Sequence, residues 1–420
     1  MRRRRYDVVV IGAGTAGLVA GTRLAEAGAE VCVVAKGVGS THLAPGTIDV
    51  LGYAPERVDS PTAAIAALVA QRPEHPYALV GSATIAEAAD WFVATAARGA
   101  LPGYNYVGSL ERNLLLPTAV GALKPSALVP DTFAAGDARE LGRVAVIGTP
   151  LLRDFHASLC AENLRVAGID ATAVSIDAEL DRVDASTLGL ARRFDDPGWR
   201  AAFSARLAPL IKAADQVALP AMLGLGDPHG VLAELEARLG RRVFEIPTLP
   251  PSVAGMRLFE ILRHALLAAG GRVALGAGVV SHLREGERVV SVQTASAGSN
   301  TTYEAGAFVL ASGGFHSGAL TLDSHWQANE QLLGLPLHGV PAPGEQRFVP
   351  SYFDEQPLAR AGIAVDSELR AAGTANVFVA GAALAGSVSW REGSGEGIAL
   401  ASGYRAAQLA AATLGAKVVA

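Results

Sequence analysis

Cysteine is nearly absent: of 420 residues, only Cys32 and Cys160 carry a thiol. Two thiols cannot build a disulfide framework, and they cannot by themselves hold an iron–sulfur cluster, which takes about four thiolates. Such sparse use suits a reducing cytosol. Charge is thin as well. Only 18% of residues are charged and the net charge is −5, which leaves no electrostatic footprint for nucleic acid. The basic run 2–5 reads as a solvated start. No stretch of about 18 uninterrupted apolar residues occurs, so no membrane crossing is expected. Arginines ahead of an apolar segment imitate a signal peptide, but Tyr6 and Asp7 interrupt the pattern. Gly12, Gly14 and Gly17 then break the apolar run, and strand, turn and helix is the better reading.

What is present is apolar residue and glycine. Half the residues are hydrophobic and 47 are glycine, enough for a large core with many tight turns and close backbone approaches. Residues 8–11 form a continuous β-branched run, the mark of a strand buried on both faces of a parallel sheet. A helix to about residue 27 and a second strand at 31–34 complete a βαβ unit. Between 53 and 248 the pattern predicts helices at 63–70, 85–97, 153–166 and 231–239, and strands at 143–148, 171–176 and 216–220. The proline-punctuated stretch 114–133 mixes turns with short strands. A stiff proline-rich boundary at 247–251 precedes a helix at 255–269 and an antiparallel hairpin at 279–283 and 289–294. Buried strands at 308–310 and 377–380 and a helix at 397–414 follow. The expected architecture is α/β: a Rossmann-like FAD/NAD(P)-binding fold with a parallel sheet, an inserted second α/β region and a small antiparallel sheet. The expected segments are 1–52 for the flavin-binding domain, 53–250 for the insert, and 251–420 for the remainder of the flavin-binding domain.

The turn Gly12-Ala13-Gly14-Thr15-Ala16-Gly17 has the spacing of a dinucleotide fingerprint. The first glycine makes the turn, the second admits a pyrophosphate to the backbone, and the third lets helix and strand approach. About twenty residues on, a carboxylate normally holds the ribose; here that place falls to Ala35, followed by Lys36. Either the adenine half of FAD is held in another way, or the ligand is FMN. A second signature joins the strand ending at Gly381 to Gly395, Glu396, Gly397 and Ile398 at the start of the last helix, whose amides can stabilise charge on a reduced flavin. Ser312 and Gly313 mark the strand that returns to the first sheet. The loop carrying Thr41, His42 and Gly46 runs where a flavin would lie. His42 there is an ordinary loop histidine, a ring contact or a covalent attachment point, and Asp49 supports the same loop. For alcohol oxidation, a base and a phosphate-binding cation are required. His316, Arg347, Arg391 and Glu392 are the candidates nearest these segments, each equally readable as a surface or supporting residue.

These pieces together resemble the B-subunit family of bacterial anaerobic glycerol-3-phosphate dehydrogenases along nearly the whole chain. The matching strings are YDVVVIGAGTAGLVAG at 6–21, THLAPGTIDVLG at 41–52 and EHPYALVG at 74–81. RVAVIG, LRDFHASL, ALPAMLGLGD, IPTLPPSVAGMRL at 246–258, FVLASGGFHSGAL and NVFVAGA complete the set. The resemblance implies a three-subunit complex that oxidises sn-glycerol 3-phosphate to dihydroxyacetone phosphate and reduces quinone. It implies FMN in this chain, an FAD-containing catalytic partner, and an iron–sulfur partner that docks at the membrane. The chain itself is then cytoplasmic and peripheral to the inner face of the membrane, with no metal of its own. The loop 388–395 departs from the family pattern, lacking its cysteine and triple glycine.

Overall fold

Val8, Val9, Val10 and Ile11 are at most 3% exposed. Val31–Ala35 pairs with the first strand on one edge and Thr301–Leu310 on the other, both in parallel. The continuous β-branched run is therefore a central strand, as its pattern predicts. The computed structural model describes residues 2–178, 185–295 and 300–415. The first strand, Arg2–Ile11, begins earlier than expected, because its four arginines pair with Thr301, Thr302, Tyr303 and Glu304. Their side chains stay exposed while their backbone enters the ladder.

The main sheet has seven strands. Arg272–Leu275 lies outside Val31–Ala35, and Val377–Val379 runs parallel to the upper half of Thr301–Leu310. The lower half of that long strand takes Arg288–Ala295 in antiparallel pairing, with Gly278–Glu285 beyond it. The expected small antiparallel sheet is thus an extension of the main sheet, made possible because one ten-residue strand carries different partners along its length.

A second, four-stranded sheet has the order Arg242–Ile246, Gln216–Pro220, Val144–Gly148, Ala171–Ser175, with every neighbouring pair parallel. It has its own core, including Val146, Phe203, Leu219 and Phe244. The expected insert boundaries of 53 and 250 need correction. Ile65, Tyr77, Phe92 and Tyr106 pack with the first core, and the separate core draws its buried residues from 144–246. The helix Ser82–Ala96 carries its buried side chains on one face and lays them against the last helix, Gly395–Thr413, which assigns it to the flavin-binding half.

The proline-rich boundary leads into the helix Val253–Ala268, capped by Ser252, whose hydroxyl accepts from Gly255 N at 3.0 Å. Two of the distinctive sequence strings meet here. A Cβ on Gly255 would stand 2.2 Å from the Thr41 carbonyl oxygen, and one on Gly46 would stand 2.6 Å from Ala254 Cβ. Small residues at these positions let the helix end sit directly on the loop.

Candidate functional site

The fingerprint glycines divide into two kinds. A Cβ on Gly17 would lie 1.9 Å from the Gly12 carbonyl oxygen, and one on Gly12, at φ +115°, would lie 2.1 Å from the Ala311 carbonyl oxygen. These two hold helix and strands in contact. Gly14 has nothing within 4 Å of its Cβ position, and it forms the N-terminal boundary of the helix Thr15–Glu26. Steric necessity explains Gly12 and Gly17; open approach to a ligand explains Gly14.

Around this turn lie buried polar atoms with no hydrogen-bond partner, Ser312 Oγ and Glu396 Oε2, with Thr15 hydrogen-bonding the Glu396 carboxyl. An orphaned buried polar atom costs about 1–3 kcal/mol. Here neighbouring elements leave such atoms without a partner in the chain itself. Gly381, at φ +73°, brings its Cβ position within 3.0 Å of Ala16 Cβ and donates its N–H to Ser402 Oγ at 2.8 Å. The strand end Val377–Val379 and the last helix thereby close on the fingerprint. Gly313 adopts φ +85° as the chain turns after Thr301–Leu310. The residues present fit a flavin phosphate and ring: open backbone at Gly14, orphaned donors beside it, and two helix N-termini.

Glu396 sits between Asp49, already noted in its loop, and Lys124, which the sequence did not single out. Burial pushes its carboxyl above the usual range and Asp49 adds to the effect, while Thr15 and Lys124 oppose it. Lys124, on the hairpin strand Leu123–Ser126, forms an ion pair with Asp49 and donates to Thr47 Oγ1 at 3.3 Å. Thr47 Oγ1 in turn donates to Asp49 Oδ1 at 2.8 Å. Lys124 is the functional candidate missed by sequence reading. It belongs to no motif, and it meets Asp49 only through tertiary folding. The one available signal was Asp49, an acid inside the string THLAPGTIDVLG.

The expected catalytic residues make separate local contacts. Glu392, one of the catalytic candidates and equally readable as a supporting residue, is engaged on several sides. It accepts from Arg72 Nη2 at 2.8 Å, His75 Nε2 at 3.2 Å, Ser394 Oγ at 2.9 Å and Val388 N at 3.1 Å. Burial raises its pKa, but His75, the Val388 amide and Arg72 outweigh that and hold it at about 2. A carboxylate so fully engaged is a poor proton acceptor. Tyr77 N donates to His75 Nδ1 at 3.1 Å, so His75 bears its proton on Nε2 and gives it to Glu392. His316 lies exposed in the turn Phe315–Ser317. Arg347 donates to the Trp326 carbonyl, and exposed Arg391 to the Phe353 carbonyl.

Among the expected cofactor residues, Thr41, His42 and Gly46 face the helix Val253–Ala268. His42 O accepts from Ser252 N at 2.9 Å, and the His42 ring meets Phe259 edge-on at 5.0 Å. Burial lowers the His42 pKa. Gly397 is held by packing, its Cβ position 2.5 Å from the Tyr77 hydroxyl and 2.6 Å from Val50 Cα. Ile398 is 3% exposed in the core, whereas Gly395 and Lys36 are open to solvent. The Ala35 carbonyl accepts from Ala277 N at 3.0 Å, so the end of the second strand is bordered by the turn before Gly278–Glu285.

Residues 7–398 match the family model described as FAD binding domain. The B subunit of anaerobic glycerol-3-phosphate dehydrogenase from Yersinia enterocolitica is 32% identical over 417 residues, covering 95% of this chain and 96% of that protein. The probable B subunit of the same enzyme from Halobacterium salinarum is 33% identical over 428 residues, covering 96% and 97%. Among solved structures, Mycobacterium smegmatis Sdh1 in complex with UQ1 is 13% identical, covers 99% of this chain and 70% of that one, and has a TM-score of 0.45. A glycine turn built for a flavin, within a chain alike from end to end to these relatives, identifies it: the chain belongs to the FAD binding domain family and, within it, to the B-subunit family of anaerobic glycerol-3-phosphate dehydrogenases.

Proposed function

We propose that the chain is a flavin-carrying member of a complex that oxidises sn-glycerol 3-phosphate to dihydroxyacetone phosphate, and that its flavin is FMN. The observation that carries the flavin reading is the pair of orphaned atoms Ser312 Oγ and Glu396 Oε2 around the open Gly14. When bound, the flavin supplies a two-electron acceptor for the C2–H bond of the alcohol. The protein's part is to offer backbone amides at Gly14 and at the helix N-termini, and to keep the Lys124–Asp49 pair and Glu396 at the cradle wall. FMN is supported by Ala35 standing where a ribose carboxylate belongs.

In this reading, electrons leave to quinone through two partners: an FAD-containing catalytic polypeptide, and an iron–sulfur polypeptide that docks the complex at the membrane. The chain is then cytoplasmic and meets the inner face of the membrane through those partners. Among the described residues no helix is long and apolar enough to cross a membrane, which is compatible with that arrangement. A second reading, an electron relay without its own substrate chemistry, is favoured by the engagement of Arg347 and Arg391 with backbone carbonyls and of Glu392 with Arg72.

Acid release of the cofactor from the purified chain, followed by mass measurement, tests the flavin assignment. FMN is expected; FAD would overturn the FMN assignment, and no flavin would overturn the reading altogether. Anaerobic addition of glycerol 3-phosphate to the flavin-loaded chain separates dehydrogenase from relay. Bleaching supports the first, and an unchanged spectrum supports the second.

A further inference from the structure

Glu396 opens the helix Gly395–Thr413, whose N-terminal amides favour negative charge. A carboxyl there is ordinarily ionised and hydrogen-bonded. Here its Oε2 is covered and has no partner. The groups acting on it come from each neighbouring element. Thr15 on the first helix is only 4% exposed and hydrogen-bonds the Glu396 carboxyl, which opposes the upward shift. Asp49 from the loop after the second strand is held by Lys124 of the hairpin. Tyr106, on the strand Tyr106–Gly108, senses Glu396 and has its hydroxyl engaged by the Gly46 carbonyl at 2.6 Å. Because Lys124 is paired to Asp49, these described neighbours leave no free cation to neutralise Glu396 as a carboxylate.

Resting on the flavin reading, we propose that Glu396 is a proton-holding residue of the cradle, whose neutral carboxyl donates through Oε2 to an acceptor oxygen of the bound flavin ring. The neutral acid has an O–H to give, whereas the carboxylate has only lone pairs and turns them against the same ligand oxygen. Glu396 therefore links flavin binding to a proton. The shift of its carboxyl above the usual range runs in the direction that keeps it neutral near its ordinary titration range. The neutral form is present below the folded-state value, so affinity is held at low pH and lost as pH rises through it.

The test is the affinity of the full-length apo chain for FMN, read by flavin fluorescence from about pH 5 to about pH 8.5, in wild type and in Glu396→Gln. Ionisation of the FMN phosphate is common to both proteins and cancels in the comparison. Relative to the variant, the wild-type Kd is expected to rise with pH by up to about tenfold per unit, the limit for one linked proton. Glutamine, which keeps an N–H donor, is expected to retain binding at the high end. Parallel profiles would overturn the proposal alone, as would a variant that stays folded but binds at no pH. Failure of the wild type to bind FMN at any pH would overturn the flavin reading and this proposal with it. Should the variant not fold, calorimetry on the wild type with riboflavin, which carries no phosphate to titrate, in buffers of different ionisation heat replaces the comparison: proton uptake on binding supports the role, and zero uptake refutes it.

Discussion

Glu392 and Glu396 are four residues apart, and the two sides of the C-terminal loop treat the same side chain in opposite ways. On one side, Arg72 and His75 from the segment before Pro76–Val80 reach Glu392, with Ser394 and the Val388 amide beside them, and its pKa falls to about 2. On the other side, Glu396 has a covered oxygen without a partner, and its pKa rises, first from burial and then from Asp49. The first carboxyl is a structural anion that ties the loop to the flavin-binding core. The second is left unfinished by the protein and waits for a ligand. Gly17 and Gly14 repeat the contrast in the backbone: one is closed by an atom 1.9 Å from its Cβ position, the other open to 4 Å.

The glycine pair gives the largest expected effect. Gly17→Val should yield no folded chain, because its side chain meets the Gly12 backbone, which cannot move without breaking the turn. Gly14→Val should fold, with stability changed by no more than about 1 kcal/mol, and should emerge from gel filtration without flavin. Circular dichroism and visible absorbance distinguish the two; a yellow Gly14→Val protein with normal stoichiometry would sink the fingerprint assignment.

Next in size is removal of the anion. Glu392→Ala leaves Arg72 and fully buried His75 without their partner, at a cost of about 3–5 kcal/mol, measurable as a lower denaturation midpoint. Glu392→Gln should recover part of it. A loss below about 1 kcal/mol would mean that the loop relaxes enough to hydrate Arg72.

A smaller effect lies in the pH dependence of melting. The folded pKa of Glu392 is depressed from 4.5 to about 2, so its contribution is present above the ordinary value and lost as pH falls through that interval. Glu396 is raised, so its contribution is present below the ordinary value and lost as pH rises through the folded one. Glu392→Gln should flatten the acid limb of melting temperature against pH, and Glu396→Gln the limb above it. Identical profiles for the two variants would erase the distinction between the regions.

Smallest are His316→Ala and Arg391→Ala. Both side chains are exposed, and their stability effects should stay within about 0.5 kcal/mol. Slower flavin reduction by glycerol 3-phosphate with unchanged melting would keep them as substrate residues. Unchanged reduction would remove them.

Much of the first sheet was legible because its signals are local. The run 8–11, the glycine turn and the strands at 308–310 and 377–380 each announce themselves within a few residues. The strand Arg242–Ile246 was missed because Arg242 and Glu245 disguise it. Glu245 is 2% exposed, which a strand position tolerates only because Arg257 Nη1 reaches it at 2.6 Å and Thr132 Oγ1 at 2.7 Å. Those partners come from the helix Val253–Ala268 and from the short helix Asp131–Ala134. Lys124 escaped for the same reason: its meaning lies in Asp49, on another segment.

Side-chain period, β-branching and the steric freedom of glycine are written in the chain itself, and they suffice for the buried strands, the turn and the order of the flavin-binding pieces. Which glycine stays open, and which of two neighbouring glutamates has its pKa lowered and which raised, was settled by folding alone. Those outcomes depend on desolvation and on partners brought from distant segments, Arg72 and His75 for Glu392 and Asp49 for Glu396.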